Sequence, residues 1–157
     1  MPDTIRERIF QDRKTVLETI TTANGFENDL VAGAVARIMP SSQVALPSPH
    51  VILLAGQEVV VPGPDPLTTK NVEVWILLFV RLDELTDARS ADQVLNLLMG
   101  DIEKALNIDI TCGSLALDCE LADTQSVELT HKNPNVGQAM MFMVKYRHLR
   151  TDPFSLG

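Results

Sequence analysis

Residues 71–82 read NVEVWILLFVRL. Val72, Val74, Ile76, Leu78, Val80 and Leu82 fall at every second position and make one unbroken apolar face, the period of a β-strand. The alternate positions, Glu73, Trp75, Leu77, Phe79 and Arg81, are charged only at the two ends. A strand with one face in water carries polar side chains all along that face. The second face of this strand therefore needs cover, from more of the same chain or from another copy.

The flanking segments read outward from it. Residues 62–70 hold three prolines and a glycine and predict a long exposed loop, the kind of segment that contacts a partner. Before it, His50 to Ala55 predicts a short strand buried on both faces. Gly56-Gln57 bends the chain, and Val59 to Val61 continues the pairing. After the central strand, Ser90-Ala91-Asp92-Gln93 is a capping box, a Ser cap with Gln three positions on, opening a helix that runs to about Asn107. Its core stripe is Val94, Leu95, Leu98, Ile102, Ala105 and Leu106. Residues 114–122 and 126–131 predict strands around a turn at Asp123-Thr124. Asn133-Pro134-Asn135 predicts a further turn, and residues 137–149 predict the last strand.

The N-terminal segment, residues 3–21, predicts a helix capped by Asp3 or Thr4 and stopped by Asn24-Gly25. Ile5, Ile9, Val16 and Ile20 share one side of it, with Phe10 and Leu17 at the edge. Arg6 and Arg13 fall inside that apolar arc. Either they snorkel from the core rim or they meet carboxylates, in this chain or on a neighbour. Residues 29–39 mix helical spacing with Gly33 and paired valines, and are read as a strand. The order is helix, two or three strands, helix, two or three strands. It predicts an α+β fold: a single mixed, mostly antiparallel sheet with two main helices packed on one face, formed by one domain over residues 1–157 with a flexible tail at 151–157.

Composition narrows the function. The 157 residues give room for one core, and 45% are apolar. The formal charge of −8 and 4% aromatic content argue against a nucleic-acid binder, which needs basic and stacking surfaces. The first residues lack the apolar stretch of a signal peptide, and no run is long enough to span a bilayer, which places the protein in the cytoplasm where it is made. Cys112 and Cys119 read as reduced core thiols rather than a disulfide. His50, His131 and His148 are scattered and fit no metal or triad pattern; Gly33, Gly56, Gly63 and Gly100 form no phosphate loop. The acid pairs Asp83-Glu84 and Glu120 with Asp123 read as solvated turns. The sequence gives no support to an enzyme or to a cofactor.

The last strand passes from apolar to basic. Met140, Phe142, Val144 and Tyr146 share one face; Met141, Met143, Lys145 and Arg147 share the other. In an acidic protein this basic end is either a partner for an acidic face of a neighbour or a charged strand end that discourages edge pairing.

Across nearly the whole chain the layout resembles the tail terminator, or tail completion, proteins of long-tailed phages. The stretches that carry the likeness are TTANGFENDLVAGAVAR (21–37), PSPHVILLAGQEVV (47–60), VEVWILLFVRL (72–82) and MVKYRHLRTDPF (143–154). The resemblance implies a structural protein that closes into a ring, typically a hexamer, on the head-proximal end of the tail tube. Such a ring stops tube growth and offers the surface to which the head docks. Partners would then be other copies, the tube protein and a head-neck connector protein, with DNA passing through the lumen unbound, and the protein would end in the virion tail. Six copies at −8 carry about −48 formally, which repels a passing duplex. The candidate subunit or tube contacts are Arg6, Arg13, Asp65, Trp75, Phe79, Lys145 and Arg147. A head-side neck protein, or a small adaptor domain unrelated to phage, is the alternative.

Overall fold

The computed structural model describes residues 3–37, 46–85, 90–127 and 135–157. Two helices, α1 (Ile5–Leu17) and α2 (Ala91–Asn107), pack on one face of a five-stranded sheet. The strands are β1 (Val35–Ala36), β2 (His50–Val61), β3 (Leu67–Arg81), β4 (Asp118–Val127) and β5 (Asn135–Leu149). Their order across the sheet is β1-β2-β3-β5-β4. β1 runs parallel to β2, and the other pairings are antiparallel. The fold is α+β, as the alternation of elements predicts.

The central strand β3 is paired on both sides. It meets β5 from Leu67↔Leu149 to Arg81↔Asn135 and β2 from His50↔Phe79 to Val61↔Thr69. Val72, Val74, Ile76, Leu78 and Val80 are buried under the helices, together with Val51 and Leu53 of β2, Met140, Phe142 and Val144 of β5, and Cys119 of β4. From α1 come Ile5, Ile9 and Leu17; from α2 come all six residues of the stripe expected from sequence. The capping box is present: Ser90 Oγ accepts from Gln93 N–H and the Gln93 side chain accepts from Ser90 N–H.

Several boundaries differ from expectation. β3 begins at Leu67, so the connecting loop covers only 62–66. Thr69 and Lys70 pair with Val61 and Val60 on one side and with Arg147 and Tyr146 on the other. Leu82 leaves the strand for a short 3-10 turn and is exposed. α1 stops at Leu17, and a 3-10 turn at Thr22–Asn24 closes on Gly25 at φ 83°. There the Thr19 hydroxyl bonds Val16 O and the Asn24 amide bonds Thr19 O, side-chain competition that ends a helix. Of residues 29–37 only Val35–Ala36 is strand, because a turn at Val31–Ala34 with Gly33 at φ 83° precedes it. Residues 38 and 39 lie outside the described residues.

The turn expected at Asp123-Thr124 is instead a bulge within one continuous strand. Leu121 faces Phe142 and Asp123 faces Met141, leaving one extra residue between them. The end of the strand expected over 126–131, His131, and most of the turn at 133–135 lie outside the described residues. The tail expected to be flexible folds back: Asp152 bridges to Leu149, and Ile5 N–H donates to Pro153 O at 3.2 Å. Cys112 and Cys119 are both buried and free. Burial and a hydrogen bond with Cys119, the bond foremost, push the Cys112 thiol well up. No described helix is long and apolar enough to cross a membrane.

Candidate assembly interface

Strand pairing places the second face of β3 in register with its neighbours, and among the described residues no helix packs on that face. Side chains directly opposite across strands lie on one face. Along the sheet this gives a graded series of rows. His50, Phe79 and Gly137 form one; Ile52, Leu77 and Ala139 the next; then Leu54, Trp75, Met141 and Asp123. Glu73, Met143 and Glu120 follow, then Val59, Asn71, Lys145 and Asp118, and last Val61 and Thr69 with Arg147. The face is mostly apolar at one end, with Gln125 opposite Ala139, and gathers its charges toward the other, where Val59 and Val61 also lie. Ile52, Phe79 and Ala139 are buried, while Leu54, Trp75, Leu77, Met141 and Met143 are half-exposed. None of them belongs to the core beneath the helices.

Trp75 is held in place. Its indole N–H donates to Glu73 Oε2 at 3.1 Å, and the same oxygen accepts from Gln57 N–H at 3.1 Å. The bulge of β2 between Ala55 and Glu58 brings Gly56 under the ring. A Cβ there would lie 2.7 Å from Trp75 Cδ1, so only glycine allows this approach. The result is a fixed aromatic edge beside flexible Met141 and Met143, a combination suited to protein contact.

The other residues singled out from sequence divide. Lys145 is exposed and Arg147 half-buried on this same face; Arg147 Nε donates to Thr69 Oγ1 at 3.3 Å. Asp118, opposite Lys145, sets an acid beside the basic end. Phe79 is sequestered instead, stacked on His50 with centroids 5.2 Å apart and packed against Gly137. Asp65 lies in the 62–66 loop and pairs with Arg150 at 2.8 Å, an exposed contact of little energetic weight.

Arg13 does not snorkel. Its side chain is 1% exposed, and the guanidinium donates to Leu106 O at 3.3 Å, Asp109 O at 3.0 Å and the Asp12 carboxylate at 2.5 Å. It ties α1 to the end of α2 from inside the chain. Arg6 lies over the helix-side edge, 3.5 Å from Glu58. Glu58 also accepts from Lys70 Nζ and from the Tyr146 hydroxyl, each at 2.8 Å. Both arginines thus meet carboxylates within the chain. Tyr146 is buried, as its alternation with Phe142 and Val144 predicts, and its hydroxyl is raised far above the ordinary value by burial and then by Glu58.

Sequence reasoning did not single out Leu54 or Glu58. Leu54 sits in an apolar run whose two faces look alike, and Glu58 reaches its position only through the β2 bulge, for which Gly56-Gln57 is the one signal. No protein-family model matches the chain, and comparison with curated proteins finds no match.

Proposed function

We propose that this chain is a structural subunit that assembles through its open sheet face, in the manner of a phage tail terminator. In this reading copies close into a ring on the head-proximal end of the tail tube, end its growth and present the surface to which the head joins. The observation that carries the reading is the graded face itself: a pinned Trp75 with Leu54, Leu77, Met141 and Met143, running into Lys145, Arg147 and Asp118. A contiguous half-exposed apolar area rimmed by charge is typical of an assembly surface. The function is steric: the subunit satisfies contacts that the tube end leaves open and does not offer the same contacts again.

Native mass spectrometry of the purified protein, alone and with tube protein, tests this. The expected result is a closed ring, or a ring that forms on tube ends. A species that stays monomeric with tube protein, or that binds only a portal-side connector, would overturn the tail assignment. Deleting the gene should leave heads and tails unjoined and tails of abnormal length.

A further inference from the structure

Toward its charged end the graded face carries Glu73 on β3, Lys145 and Arg147 on β5, and Asp118 and Glu120 on β4. None of these five side chains forms an ion pair among the described residues. Arg147 reaches only the Thr69 hydroxyl, and Glu73 accepts only from neutral donors, the Trp75 indole and the Gln57 amide. Two unpaired bases thus stand among three unpaired acids. A partner of one uniform charge would be repelled by one set or the other, whereas a surface of the same mixed composition satisfies both.

The direction of the grading limits how a second copy can lie on the first. It runs along the strands, so a two-fold axis across the strands would set the apolar end of each copy on the charged end of the other. An axis parallel to the strands lays like rows on like rows. Midway between β3 and β5, it sets β5 of each copy over β3 of the other. Trp75 then meets Met141 of the second copy. Lys145 lies over Asn71 of that copy, one row, or about 7 Å, from its Glu73. Each contact occurs twice, as two-fold symmetry requires. Sheets stacked in this way run within about 30° of one another at a separation of about 10 Å, a gap that Trp and Lys side chains bridge.

The area is sufficient for a weak pair. From Leu77 to Thr69 the face spans four strands, about 19 by 26 Å, or about 500 Å2. Two copies together would cover about 1,000 Å2, the least that a specific interface needs. Val59, on this face, is 51% exposed, and Trp75, Met141 and Met143 are half-exposed.

We propose that free chains pair face to face, stacking their sheets about a two-fold axis parallel to the strands, with Trp75 of each copy on Met141 of the other and Lys145 of each against Glu73 of the other. The pair keeps the open face out of water until a larger surface competes for it. It shares with the tail reading only the premise that this face is an interface.

The test uses the free full chain without tube protein. Sedimentation equilibrium across a dilution series should show monomer and dimer in reversible exchange. Trp75→Ala should weaken the dimer about thirty-fold or more, as loss of a central aromatic anchor does. Lys145→Gln and Glu73→Gln should each weaken it about three- to ten-fold, because each removes two half-exposed ion pairs, and the double variant should be no weaker than either alone. Gln at position 73 keeps an oxygen that can accept from the Trp75 indole. Arg6→Gln, on the helix side, should leave the dimer unchanged. If Trp75→Ala does not fold, the two Gln variants decide. The proposal is overturned if the chain is monomeric throughout, if it closes into larger rings on its own, if Trp75→Ala dimerises like the parent, or if the effects of the two Gln changes add. A monomer that still caps tubes would remove this inference and leave the tail reading standing, and a dimer that never caps would do the reverse.

Discussion

Arg13 shows how a single residue can be read correctly in position and wrongly in role. Its spacing puts it in the apolar arc of α1, but spacing cannot show that two carbonyls at the end of α2 and in the turn beyond, those of Leu106 and Asp109, await it. Arg13→Met keeps the volume and leaves these acceptors unpaired. We expect a loss of about 2–4 kcal/mol in urea unfolding, the range for leaving buried polar partners unmatched. Glu58 is the second case. Burial alone would raise its carboxyl, but hydrogen bonds from Lys70 and Tyr146 outweigh that and hold it below the ordinary value. A carboxyl depressed in the folded state stabilises the fold above its unfolded value of about 4.3, and that contribution is lost as pH falls through the folded value. Unfolding free energies measured from pH 7 to pH 3 should therefore drop less steeply in Glu58→Gln than in the parent, although the variant starts from lower stability at pH 7.

At the scale of elements, what the sequence made legible was what periodicity and caps encode. The alternation of 72–80, the Ser90 box and the α2 stripe all appear where pattern places them, because burial on one side imposes a period that residues must obey. What failed was punctuation. Asp123-Thr124 has turn chemistry but sits in a bulge, where an extra residue is absorbed while pairing with β5 goes on. Thr68-Thr69 looks like loop yet is strand, because β-branched side chains suit the pleated surface once β5 lies alongside. Gly56 is where local chemistry and site geometry meet. Gly56→Ala should force Trp75 aside and cost about 1–3 kcal/mol, as overpacking does. Since Trp75 is the only tryptophan of the chain, its fluorescence maximum should move with the ring; an unchanged spectrum and stability would show that the bulge tolerates a side chain.

For the whole molecule, the sequence showed that the second face of β3 is largely apolar but not how that face is composed, since the rows exist only once four strands are aligned. Its charged end gives the sharpest assembly test. Lys145→Glu with Arg147→Glu alters an exposed and a half-buried side chain, so the monomer should unfold within about 0.5–1 kcal/mol of the parent. Across an interface the same reversal replaces attraction with repulsion worth several kcal/mol. On the proposed tail-terminator reading, sedimentation with tube protein should show capped tubes for the parent and none for the double variant. Normal capping would reduce the pair to a solubilising strand end.

The hydrogen bond from Ile5 to Pro153 has a practical corollary. Where the chain enters the fold and where it leaves are neighbours, so the path from residue 5 to residue 153 is nearly a closed circuit. Domains of this kind tolerate cutting and rejoining. A short linker could bridge the two ends while new ones open at the exposed 62–66 loop, and the intact unit could be spliced into a surface loop of another protein without prising that loop apart.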